Sequence, residues 1–172
     1  MEFAPDVAML TWKNESLTLG QFKNKKIWLA FFRYAACPLC NLRIHEMIQR
    51  YDELKKKGVQ ILAVFQSSPE SIAEYVGKQS PPFPLIADPK ERLYQIFGLK
   101  KGWWAFVHPG NTPLLAKAIW KRLGGMKPEG TVNRIPGDFL MNPGLRVSRV
   151  YHGNKVGDHI PWSEVEQFVK EP

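Results

Sequence analysis

Residues 27–32 read Ile-Trp-Leu-Ala-Phe-Phe, six apolar side chains without a break. In an extended strand successive side chains point to opposite faces, so a run with no polar alternate needs cover on both sides. The run therefore belongs to the centre of a sheet, with further layers above and below it. It stops at Arg33, and after Cys37-Pro38 the apolar period changes. Cys40, Ile44, Met47, Ile48, Tyr51 and Leu54 recur at spacings of three and four, one face of a helix. Lys55-Lys56-Lys57 and Gly58 mark its end, because cations suit the negative pole of the helix and glycine suits the turn beyond. Val59 to Phe65 is the next apolar strand. Strand, helix, strand implies a right-handed crossover and a parallel pair.

The remaining chain follows in short units. Ser16–Leu19, with Gly20 and Phe22, predicts a short strand and turn near the start. Ser68-Pro69-Glu70 predicts a second helix through about Gln79, capped by Ser68 with Pro69 in its first position. Residues 81–86 are extended, and Asp88-Pro89 begins a third short helix ending at Gly98. From Gly98 to about Gly130 the pattern dissolves, with a short amphipathic helix over 113–123. So long a connection reads as an insertion, a lid over the Cys37 site or a dimer contact, with its aromatics buried. Phe139–Met141, the turn Asn142-Pro143-Gly144, and Leu145–Tyr151 predict an antiparallel hairpin, and Pro161-Trp162 opens a last helix to Lys170. The expectation is one α/β domain spanning 1–172.

Composition narrows the class. The chain has 172 residues, 44% hydrophobic and 23% charged, which suits a globular domain with a sizeable core. No run approaches the ~18 apolar residues that span a bilayer. Met-Glu-Phe-Ala-Pro-Asp carries an acid where an export signal carries lysine or arginine, so the expected location is cytoplasmic. The net charge of +8 is read as a solvated basic surface, with neither nucleic acid nor membrane expected as partner.

Both cysteines of the chain, Cys37 and Cys40, lie at the junction of strand and helix. A bridge between them closes almost no chain, so it is a poor structural staple. Pro38 suits the first helical position and makes Cys37 the N-cap, beside unpaired N–H groups and the positive end of the dipole. Such settings bring thiol pKa values to roughly 3.5–7.5 from about 8.5. Cys37 is thus the candidate nucleophile and Cys40, one turn on and in the apolar stripe, the resolving thiol. Zinc would find at most Cys37, Cys40 and His45, one ligand short of a structural site. No phosphate-cradling glycine motif appears, so no cofactor is expected. His45 and Glu46 read as a solvated helix face, and Asp158-His159 as a turn into the last helix.

The segments APDVAML, SLTLGQFKNKKIWLAFFRYAACPLC, GVQILAVFQSSPE, FPLIADPKERLYQIFGL and PGDFLMNPGLRV resemble, in that order, the peroxiredoxin-like alkyl hydroperoxide reductase/thiol-specific antioxidant family. Within it they look like the branch carrying C-x-x-C. The resemblance covers nearly the whole chain apart from 100–130. It implies a thioredoxin-like fold, a central mixed β-sheet flanked by α-helices, with Cys37 as peroxidatic and Cys40 as resolving cysteine. It also implies an arginine at the reactive sulfur, for which Arg134 and Arg33 are the candidates, and a cis-proline facing it, matched by Ile135-Pro136. Two positions depart from the family pattern: Ala30 replaces a proline, and Tyr34 stands where a threonine or serine is usual. The expected function is peroxide reduction by the Cys37–Cys40 dithiol, restored by a thioredoxin- or glutathione-type reductant. The alternatives are exchange with protein disulfides and a redox-sensing binding module that does not turn over.

Overall fold

A computed structural model describes residues 2–125 and 127–171. In chain order the elements are β1 (Ala8–Leu10), β2 (Ser16–Thr18), β3 (Lys26–Phe31), α1 (Pro38–Lys56), β4 (Val59–Phe65), α2 (Pro69–Glu74), β5 (Leu85–Ala87), α3 (Arg92–Ile96), α4 (Trp103–Val107), α5 (Thr112–Trp120), β6 (Gly137–Asn142), β7 (Arg146–His152) and α6 (Trp162–Lys170). Five strands form a mixed sheet in the order β5-β4-β3-β6-β7, with β1 and β2 paired separately. The apolar run is the middle strand, parallel to β4 and antiparallel to β6. This is the thioredoxin-like α/β architecture, a mixed sheet with helices on its faces.

The alternation of β3 divides the core. Trp28, Ala30 and Phe32 pack into one apolar layer with Cys40, Ile44 and Met47 of α1 and with Phe168 of α6. Ile27, Leu29 and Phe31 pack into the other, against Tyr94, Phe97 and Phe139. All six side chains are completely buried. The unbroken hydrophobicity is thereby explained, since each face of the strand meets a layer.

Local chemistry sets the ends of the elements. Cys37 is the N-cap of α1, Pro38 its first residue, and Lys55 and Lys56 close its last turn. Ser68 caps α2 by accepting from Ser71 N–H at 3.2 Å. The helix expected to run to Gln79 instead breaks at Tyr75 and tightens into a 3₁₀ turn over 76–79, which carries the Gln79 amide to Asn41 of α1. The third helix starts at Arg92, later than Asp88-Pro89 suggests, because the Asp88 carboxylate reaches forward to accept from Arg92 and Leu93 N–H at 3.0 and 2.7 Å. The hairpin forms as β6 and β7 with an irregularity at Leu140/Met141.

The insertion departs most from expectation. Its helix α5 stops at Trp120, and Arg122 and Gly124 take positive φ beyond it. Its tryptophans are not buried: Trp103, Trp104 and Trp120 are 66%, 74% and 83% exposed. The inward positions of α5 go to smaller and aliphatic residues, with Ala118 buried and Leu114 packed against the core. Among the described residues no helix is long and apolar enough to cross a membrane.

Under the sheet end of α1 lies a polar group with no exposure, Asp138 of β6. It accepts from Trp28 Nε1 at 2.8 Å and Ile160 N–H at 2.9 Å, and lies 3.1 Å from His159 Nδ1. The Asp158-His159 turn is therefore an anchor for the last crossover. Burial opposes ionisation of Asp138, but His159, Arg43 and the Ile160 N–H outweigh it and hold the carboxyl below its usual range. A carboxyl depressed in the fold contributes stability above its unfolded pKa near 3.9, and that contribution disappears as pH falls through the folded value. Asp138→Ala, which strands three partners, is expected to cost about 3–5 kcal/mol in urea denaturation at neutral pH. Asp138→Asn should flatten the loss of stability below about pH 4.

Candidate active site

The turn between β3 and α1 is fixed before any ligand arrives. Ser67 Oγ accepts from Ala35 N–H at 2.9 Å, and Asn41 Nδ2 donates to the carbonyls of Ala35 and Cys37 at 2.7 and 3.0 Å. Cys37 N–H donates to Tyr34 carbonyl at 3.0 Å, and Gln79 Nε2 donates to Asn41 Oδ1 at 2.9 Å. Asn41, Ser67 and Gln79 carry no motif in the sequence; only the polarity of Asn41 on an otherwise apolar helix face hints at a role.

Cys37 and Cys40 are free thiols, each 1% exposed. Arg33 Nη1 lies 3.6 Å from Cys37 Sγ, and Nη2 donates to the carbonyl of Val132, which orients the guanidinium. Burial alone would raise the Cys37 thiol. The hydrogen bond from Cys40, the charge of Arg33 and the N–H groups of Cys40 and Leu39 prevail and lower it to about 6. Burial, reinforced by the neighbouring Cys37, pushes Cys40 the other way. At neutral pH the pair is one thiolate and one thiol.

The sulfur faces a cavity of about 190 Å³ whose walls include Arg33, Tyr34, Leu39, Asn111, Leu115 and Val156. The insertion, expected as a lid over the Cys37 site, thus walls the pocket through Asn111 and Leu115, and the segment before α6 adds Val156, three residues that carry no motif in the sequence. A larger concavity of about 490 Å³, near Trp12 and the Pro81–Pro84 stretch, carries no thiol. Tyr34 is buried with the Arg33 guanidinium 4.9 Å over its ring. Burial and then Cys37 raise its phenol, which keeps its proton.

Of the two candidate arginines, only Arg33 is at the sulfur. Arg134 is occupied elsewhere: it stacks on Tyr94, donates to the Leu99 carbonyl at 3.1 Å and to Gln66 Oε1 at 3.4 Å, and pairs with Glu91. Pro136 is buried but does not line the cavity, and its carbonyl accepts from Gly153 N–H at 3.1 Å. Among the described residues no peptide bond is cis, so Ile135-Pro136 is trans, contrary to the expectation from the resemblance. His45 meets Gln49 on the outer face of α1, away from the thiols. Among the described residues no three His, Cys, Asp or Glu gather to hold a metal.

The far end of the insertion is pressed onto the thiol loop. Gly125 N–H donates to the Ala36 carbonyl at 2.7 Å. A Cβ on Gly124, at φ +78°, would fall 2.7 Å from Ala36 O and 2.8 Å from Pro38 Cα.

A reactive thiol at a helix start, behind the central strand of a thioredoxin-like sheet, defines a thiol-redox protein. The profile of the AhpC/TSA family matches residues 2–144, and the chain belongs to that family. A Haemophilus influenzae protein named as a Bcp peroxiredoxin is 23% identical over 158 residues, 91% of this chain and 87% of the relative. Among solved structures, peroxidoxin BcpB of Mycobacterium tuberculosis superposes with a TM-score of 0.69 at 14% identity, covering 98% of this chain and 92% of that one. The bacterioferritin comigratory protein of Xanthomonas campestris, studied for its alkyl peroxide reduction activity, gives 0.68 at 18% identity, with 98% and 95% covered. At such identities the structural likeness speaks for the fold.

Two measurements probe this geometry. The rate of iodoacetamide alkylation at Cys37 should rise with pH around a midpoint near 6, because the thiolate fraction controls it. Arg33→Met should move that midpoint upward by about one unit, the size expected from losing one adjacent charge. Gly124→Ala should loosen the clamp, speeding amide exchange across 109–125 while the sheet amides keep their protection.

Proposed function

We propose that the chain is a thiol peroxidase in which Cys37 is the attacking thiolate and Cys40 the resolving thiol. The observation that carries the reading is the Arg33 guanidinium at 3.6 Å from a buried Cys37 sulfur whose pKa is about 6. Membership of the AhpC/TSA family supports it. Cys37 sulfur attacks one peroxide oxygen, the O–O bond breaks, and the second oxygen leaves as water or an alcohol after taking a proton. Cys37 is then a sulfenic acid. Cys40 attacks the Cys37 sulfur, water departs, and an intramolecular disulfide remains. Two equivalents of a thiol reductant restore the dithiol and leave as their own disulfide.

Arg33 holds the thiolate and offers N–H to the peroxide oxygen. Tyr34, protonated and on the cavity wall, stands where the family's small hydroxyl residue would act and supplies a second donor. Peroxide is favoured over protein disulfides because Cys37 is 1% exposed and faces a cavity of only about 190 Å³ walled by Leu115 and Asn111.

Mixing the reduced protein with hydrogen peroxide and counting thiols tests the assignment. Wild type should lose both thiols in one second-order phase. Cys37→Ser should lose activity by at least about a thousandfold, as expected for removal of a covalent nucleophile. Cys40→Ser should consume peroxide once and then gain mass as sulfinic acid. Full turnover by Cys37→Ser would refute the proposal.

A further inference from the structure

Residues 99–128 contain Lys100, Lys101, Lys117, Lys121, Arg122 and Lys127 and not one aspartate or glutamate. Elsewhere 18 basic residues stand against 16 acidic ones, so six of the eight net charges belong to this stretch. The same stretch holds most of the largest apolar side chains left in water. Trp103, Trp104 and Val107 of α4 are 62–74% exposed, and Ile119 and Trp120 of α5 are 63% and 83% exposed. Helical spacing groups them: Trp104 and Val107 are three apart, Trp103 and Val107 four, and Leu115 and Ile119 four. The inner side of α5 is occupied, with Ala118 buried and Lys117 paired to Glu46 of α1 at 3.2 Å. The tryptophans, Val107 and Ile119 are each more than 60% exposed with respect to the described residues, and apolar surface of this extent marks an interaction site.

We propose that this insertion docks the protein onto an anionic lipid surface. Tryptophans and aliphatic side chains on short helices, with lysine and arginine around them and no acid, match the headgroup region: rings and methyls enter the acyl boundary and cations meet lipid phosphates. A second copy of the chain fits poorly, because even with Lys101 paired to Glu91 and Lys117 to Glu46, two such patches face to face would bring the remaining four cations of each together. Nucleic acid would use the tryptophans and lysines, but Val107, Leu115 and Ile119 give a base or phosphate nothing to hold. Lipid uses all of them. The site geometry follows the same side. Leu115 walls the Cys37 cavity, and Ile119, Arg122 and Gly124 share a second concavity with Pro38, so a docked insertion turns the mouth of the thiol pocket toward the bilayer. That last consequence rests on the peroxidase reading; the docking does not.

The test is co-sedimentation of the full chain with vesicles of phosphatidylcholine alone, or with about 30 mol% phosphatidylglycerol, at low salt, with tryptophan emission recorded in parallel. The expected result is binding at least about tenfold tighter to the anionic vesicles, a blue shift, and release by about 0.5 M salt. Lys121→Glu with Arg122→Glu, and separately Trp104→Ala with Trp120→Ala, should each weaken binding by about tenfold or more while Cys37 alkylation keeps its wild-type rate. Cys37→Ser should bind as wild type, so loss of the peroxidase reading would leave the docking standing. The proposal is overturned by absence of binding to the anionic vesicles. It is equally overturned by binding that both double variants retain, by a wild-type dimer in sedimentation equilibrium that Trp104→Ala with Trp120→Ala dissolves, or by tighter binding to an oligonucleotide than to the vesicles.

Discussion

A charge taken out of water must be compensated where it sits, and in this protein the charge is on Cys37 sulfur. At 1% exposure the thiolate has no solvent shell, and its stabilisation comes from Arg33, the Cys40 thiol and the start of α1. Each compensating group needs a fixed address. Arg33 is held by Val132, the helix start by Asn41 and Ser67, and the helix itself by an apolar stripe against β3 and β4. The sheet is thus the frame on which a single sulfur is kept charged.

The two thiols differ because their surroundings differ by a few ångströms. Cys37 is at the helix mouth and meets the guanidinium; Cys40 is one turn inward, facing the core, where burial keeps its proton. The proton on Cys40 stabilises the charge on Cys37, and the same contact places the second sulfur next to the first.

The insertion gives the site its privacy. Residues 109–125 bring Asn111 and Leu115 over the sulfur and seat Gly124 and Gly125 on the thiol loop; a Cβ at Gly124 would meet Ala36 and Pro38, and one at Gly125 would meet the Tyr75 ring. The insertion packs Leu114 against the core and buries Ala118, while its tryptophans are left exposed. The inner face of the insertion shapes the pocket while the outer face remains apolar and cationic.

What the residues determined alone was local in origin. Strict apolarity placed β3 at the sheet centre, a 3.6-residue period and Pro38 set the start of α1, and Gly58 and the lysines before it set its end. From these the strand–thiol–helix arrangement and the spacing of Cys37 and Cys40 follow, since all depend on neighbours within a few positions in the chain. The tertiary structure decided what depends on distant segments meeting. It chose Arg33 over Arg134, which Glu91 and Tyr94 had already engaged, and kept Ile135-Pro136 trans and off the cavity wall. It gathered Asp138 and His159 from opposite sides of the β7 strand, broke the second helix so that Gln79 could reach Asn41, and turned the tryptophans of the insertion to solvent. Patterns of period and propensity carry no information on such pairings, because a hydrogen bond or an ion pair is set by separation in space, and only the packed sheet fixes that separation.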